Sequence, residues 1–145
     1  MELPAGIASF LEAARVAHLA TASSRGEPHV VPVCFALLDA ATVAFAIDDK
    51  PKAPGRILKR LRNLEENPRF ALVVDRWNED WRKLGYVLLH GTGRICADPA
   101  RRSAAIAKLR ARYPQYREMG LDAGRHAVVE LSVESWHAWG AVEQG

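Results

Sequence analysis

The sequence predicts a mainly β domain, a six-stranded antiparallel β-barrel with flanking helices, and three observations predict it. Six short β-rich runs recur along the chain, divided by clusters of Gly, Pro, Asp, Ser and Asn. Only three helical patterns interrupt them, and one falls between the third and fourth runs. At 145 residues the chain suits one domain, with a real core but little spare volume for a large enclosed pocket. Many strands on short turns favour closure, because closure removes exposed edges.

The first element is a helix over residues 4–15. Pro4 fits a first turn, and Ile7, Phe10, Leu11 and Ala14 share one face. Residues 16–22 form a short apolar strand, closed by the turn Ser23-Ser24-Arg25-Gly26-Glu27-Pro28. Residues 29–38 read as a second strand, Asp39-Ala40-Ala41 as a tight connection and residues 42–47 as a third strand, together an antiparallel meander. Residues 48–55 carry two prolines and a glycine, so no regular element fits there. A helix follows over residues 56–66, with Ile57, Leu61 and Leu64 on its apolar side, and Asn67-Pro68 stops it.

Residues 69–75 make a strongly apolar fourth strand. A polar loop over residues 76–83 carries Trp77 and Trp81. The fifth strand spans residues 84–95, with Gly91 and Gly93 as bulge or bend points. Asp98-Pro99 caps and opens a helix that runs to Arg112. Tyr113-Pro114 ends it, and an irregular stretch is expected as far as Gly124. Residues 125–135 alternate as the sixth strand, and residues 136–145 read as a tail.

Bulk properties exclude several classes. Hydrophobic residues make up 49% and charged residues 26%, as in ordinary globular domains. The net charge of +3 is too mild to imply nucleic acid. No apolar run approaches the ~20 residues that span a bilayer. The opening Met-Glu-Leu-Pro lacks the basic region of a signal peptide, and Cys34 and Cys96 read as reduced core residues, so a cytoplasmic location is expected. The five histidines lack metal-site spacing, no Gly-x-Gly-x-x-Gly or P-loop is present, and no catalytic triad can be nominated. That pattern suits a protein whose cofactor carries the hard chemistry.

Two segments point to a ligand. Lys50, Lys52, Arg56, Lys59, Arg60 and Arg62 are six cations with no acid between Lys50 and Arg62. They cover a loop and the first turns of a helix, where free N–H groups already favour anions, and Arg adds a forked donor set matched to phosphate. The alternative is a solvated basic helix face. Trp77 and Trp81 are flat aromatics in a polar loop. They suit stacking on a planar ring, packing at a dimer interface, or folding back onto the barrel.

Several motifs in order resemble the pyridoxamine-phosphate-oxidase-like split-barrel family. They are His-Leu-Ala-Thr-Ala at 18–22, Gly26-Glu27-Pro28-His29, Pro32-Val33-Cys34-Phe35, and a Lys-containing loop with a helix closing in Arg62-Asn63-Leu64-Glu65-Glu66-Asn67-Pro68. Val73-Val74-Asp75-Arg76-Trp77-Asn78-Glu79-Asp80-Trp81 looks like the branch that uses the deazaflavin coenzyme F420. The resemblance implies a six-stranded split barrel working as a homodimer, with cofactor sites in the grooves between subunits. Lys50, Lys52, Arg56 and Arg60 would match the phosphate ligands, and His29, Val31 and Pro32 would lie on the strand facing the cofactor. Trp77 and Trp81 would come from the loop near the ring, with Trp81 supplied by either subunit. It implies hydride transfer to a small organic substrate. The same fold also holds FMN, or serves as a carrier or sensor that binds F420, FMN or haem, with His29 or His90 as conceivable haem ligands. The C-terminal segment Ser135-Trp136-His137-Ala138-Trp139-Gly140 lacks the Arg that grips substrate phosphate in true pyridoxamine phosphate oxidases, which argues against vitamin B6 oxidation.

Overall fold

The computed structural model describes residues 1–48 and 59–143. Its described elements are α1 (Ala5–Ala13), β1 (Ala17–Ala22), β2 (Pro28–Val33), β3 (Ala36–Asp39), β4 (Thr42–Ala46), α2 (Lys59–Glu66), β5 (Arg69–Arg76), β6 (Gly85–Ile95), α3 (Pro99–Arg112), α4 (Pro114–Glu118) and β7 (Val128–Gly140). The fold is mainly β with flanking helices, as the turn spacing predicts, but it has seven described strands rather than six.

The seven strands form one antiparallel sheet in the order β2-β1-β5-β6-β7-β4-β3. The expected meander is therefore broken. β1 pairs with β2 and β3 pairs with β4, but β2 and β3 stand at opposite edges of the sheet. Only Cys34 and Phe35 separate these two strands in sequence. A two-residue link between the edges requires the sheet to curl until they meet, which makes a barrel split between β2 and β3. Inward residues from across the sheet then share one core, among them Leu19, Val33, Phe45, Leu72, Leu89 and Leu131. Ile7 and Leu11 of α1, both fully buried, pack into the same core.

β4 is buried at every position because it faces two cores. Val43 and Phe45 point into the barrel, while Ala44 and Ala46 lie under α3 and α4 with Ile106, Leu109, Tyr113 and Tyr116. The small outward residues let the helices approach closely.

Two more expectations are corrected. The stretch after Tyr113 is not wholly irregular, since Pro114–Glu118 is a short helix that buries Tyr116. The expected tail is not a tail as far as Gly140: β7 pairs with β6 from Ile95↔Val129 to Gly85↔Gly140. Each extra residue of β6 offers ladder partners that β7 takes up. Gly91 does mark a bulge, where the β6–β7 register shifts. A Cβ at Gly91 would stand 1.8 Å from the Ser132 carbonyl oxygen. No described helix is long and apolar enough to cross a membrane.

Candidate functional site

β2 and α2 come together because of what they bury. Residues paired across an antiparallel ladder share a face. Thr21↔His29, Leu19↔Val31 and Ala17↔Val33 therefore turn His29, Val31 and Val33 toward the barrel interior. α2 is held at this end by Asn63, which is fully buried and donates from Nδ2 to Thr21 Oγ1 at 3.0 Å. Leu64 fits against Gly93, where an added Cβ would come within 3.1 Å of it.

These elements leave a cleft of about 300 Å³ between β2, the end of β4, α2 and α4. Val31, Pro32, Val33, Phe45 and Ala46 form its apolar wall. Its polar lining is Cys34, Asp48, Arg60 and Tyr116. Tyr116 donates from its hydroxyl to Asp48 Oδ2 at 2.6 Å. Burial, and then the Asp48 carboxylate, push the Tyr116 phenol well above its ordinary pKa, so it stays a proton-bearing donor. An apolar slot with a few convergent polar groups is the common form of a small-molecule site.

The structure thus places Val31, Pro32 and Arg60, distant in sequence, on one cleft. His29 does not line it. It is half-buried one inward position before Val31, and its Nδ1 is buried with no partner among the described residues. A buried ring nitrogen without a partner costs about 1–3 kcal/mol, which a polar ligand atom would relieve. Lys50, Lys52 and Arg56 lie outside the described residues. His90 stands exposed on β6.

The tryptophans are elsewhere. Trp77 and Trp81, at 64% and 72% exposure, occupy the β5–β6 connection beyond Arg76. Ala20↔Ala71 sets Thr21, and with it the anchor of α2, near the start of β5. The tryptophans follow its end, about 20 Å away at ~3.3 Å per residue. Neither is among the residues that line the cleft with Arg60. Trp139, 52% exposed, stacks on Tyr86 near the same corner at 6.0 Å between centroids.

Sequence reasoning missed Asp48 and Tyr116. Asp48 was read as part of an irregular loop, and Tyr116 fell in a stretch expected to be structureless. The one local signal was Pro114 at a first-turn position. Among the described residues, no three His, Cys, Asp or Glu are grouped to hold a metal.

Comparison with known proteins adds three findings. The sequence pattern of the family described as Pyridoxamine 5'-phosphate oxidase matches residues 3–140. No curated protein matches significantly. Among solved structures, an F420 reductase is 26% identical over 93% of this chain and 98% of that one, with a TM-score of 0.67. A FAD-binding protein from Mesorhizobium loti is 21% identical over 95% of both chains, with a TM-score of 0.70. HutZ, the haem storage protein from Vibrio cholerae, is 17% identical over 100% of this chain and 98% of that one, with a TM-score of 0.71.

Proposed function

Since the chain belongs to the pyridoxamine 5'-phosphate oxidase family, we propose that it is an oxidoreductase that binds coenzyme F420, with FMN as the alternative, and acts on a small organic substrate. The carrying observation is the convergence of Val31, Pro32 and Arg60 on one cleft. The likeness to an F420 reductase over nearly the whole chain supports the deazaflavin over FMN.

When bound, such a cofactor supplies hydride transfer. The chain's own residues supply binding and orientation. Arg60 anchors a phosphate by charge-assisted hydrogen bonds, helped by Lys50, Lys52 and Arg56 from the adjoining basic stretch. Val31, Pro32 and Phe45 offer an apolar surface that excludes water from one side of the ligand.

Neither tryptophan lines the cleft of its own chain, which favours a homodimer. In it, Trp77 or Trp81 of one subunit approaches the cleft of the other. The outward sheet face carries Val30 at 65% exposure and Trp139 at 52%, apolar area that a second copy would cover.

Titration of the purified chain with coenzyme F420 and with FMN, followed by fluorescence and calorimetry, tests the reading. Saturable binding with a preference for coenzyme F420 is expected. Binding of neither would overturn it.

A further inference from the structure

The cleft holds a carboxylate and a guanidinium cation, and the two do different work. Arg60 suits an anion. Asp48 repels one, so its carboxylate must face a different part of any ligand that Arg60 anchors. Tyr116 Oη is 2.6 Å from Asp48 Oδ2 and donates to it. That leaves Oδ1 of Asp48 and a lone pair of the phenol oxygen as acceptors. Both residues line the cleft that Arg60 also lines. A pair of acceptors in one cleft with a cation matches a ligand in which neutral O–H donors adjoin a phosphate. It does not match an apolar group, which would leave Asp48 Oδ1 desolvated without a partner.

We propose that Asp48 and Tyr116 form a hydroxyl-reading subsite that takes the polyol segment between the ring and the phosphate of the cofactor. The assignment rests on the cofactor reading above. Tyr116 also has a positioning part. It is buried, and its ring meets Tyr113 edge-on at 5.6 Å between centroids. The phenol is therefore fixed from the α4 side and fixes the Asp48 carboxylate in turn. The raised phenol pKa keeps that donor in place through the neutral range.

The test uses the full chain and three probes: FMN, riboflavin, which keeps the polyol but lacks the phosphate, and lumiflavin, which keeps only the ring. Coenzyme F420 is titrated in parallel. Asp48→Asn and Tyr116→Phe are each expected to weaken FMN, riboflavin and coenzyme F420 about tenfold, the equivalent of one charge-assisted hydrogen bond. Lumiflavin should bind both variants as it binds the unaltered chain. Arg60→Ala should weaken FMN but leave riboflavin nearly unchanged, which separates the phosphate contact from the polyol contact. A loss that extends equally to lumiflavin would overturn the subsite, as would unchanged FMN affinity in Asp48→Asn. If the unaltered chain binds neither FMN nor coenzyme F420, the cofactor reading falls and this assignment with it. Should Tyr116→Phe fail to fold, Asp48→Asn decides alone.

Discussion

The hydroxyl of Tyr113 holds the backbone of Phe35 at the point where the sheet closes. Phe35 N–H donates to it at 3.1 Å, and it lies 3.2 Å from the Phe35 carbonyl oxygen and 3.0 Å from that of Arg15. Arg112 Nε donates to the same hydroxyl at 3.2 Å. Arg112 also donates to the carbonyls of Leu11, Glu12 and Ala14 at the end of α1. One phenol thus joins the β2–β3 link, the start of β1 and the end of α3. Tyr113→Phe is expected to destabilise the chain by about 1–3 kcal/mol, because it strands a buried N–H. Urea unfolding followed by tryptophan fluorescence measures it.

Arg60→Ala is expected to weaken binding of coenzyme F420 or FMN by about 1–3 kcal/mol, the range for losing charge-assisted contacts. Calorimetric titration checks it, with the thermal midpoint as the control for folding. Lys50→Ala should fall in the same range if the basic stretch acts together. Unchanged affinity in both variants would remove the phosphate assignment.

Gly91→Ala should be costly out of proportion to one methyl group. Its Cβ would meet the backbone of Ser132, which cannot rotate away as a side chain could. A loss at or above the roughly 1–3 kcal/mol of overpacking is expected, read by thermal or urea unfolding. Gly120→Ala makes a useful contrast. Its φ of +71° is strained for alanine, but a Cβ there has no neighbour within 4 Å.

Acid should weaken the fold partly through Asp39. Burial raises its carboxyl pKa, but the Ala41 N–H, the Thr42 hydroxyl and the Arg101 guanidinium outweigh that and hold it below the ordinary carboxylate value. A carboxyl depressed in the folded state contributes stability that is fully present above its unfolded pKa. That contribution is lost as pH falls through the folded value. Asp39→Asn should therefore flatten the stability profile below about pH 4, an unfolded Asp titrating near that point. Urea midpoints across pH 2–6 test it, and parallel profiles for the two proteins would refute it.

The proposed homodimer predicts an apparent mass near twice 16.0 kDa in sedimentation at micromolar concentration. It also predicts that Trp81→Ala weakens cofactor binding although Trp81 does not line the cleft of its own chain. A monomer whose affinity ignores Trp81 would remove the shared site.

Much of the fold could be read from local sequence because its signals are local. Runs rich in Val, Leu and Ala between turn clusters place β1, β4, β5 and β6 within a residue or two. Asp98-Pro99 places α3, where Asp98 indeed accepts from the Ala100 N–H at 3.0 Å. The misses share a cause, which is partners far away in the chain. Residues 29–38 contain no glycine to mark the break at Cys34-Phe35. Tyr113, 78 residues on, holds the chain there. In residues 136–140 Trp139 faces outward while Trp136 and Ala138 pack against the barrel core, and pairing with β6, distant in sequence, completes the strand. Glu130 looked like the polar side of an alternating strand, yet it is 3% exposed and meets Arg101 Nε at 2.5 Å. In the candidate site the cations could be counted but not aimed. Asp48 and Tyr116, 68 residues apart, meet only in the folded chain.

The last strand carries a consequence for how the molecule comes into being. β7 lies between β6 and β4 and is the only described strand joining the two halves of the sheet. Until residues 128–140 leave the ribosome, the chain can form only β2-β1-β5-β6 and, apart from it, β4-β3. Each fragment has two open edges that invite pairing with other chains. A nascent or truncated chain that stops before Val128 is thus an aggregation hazard.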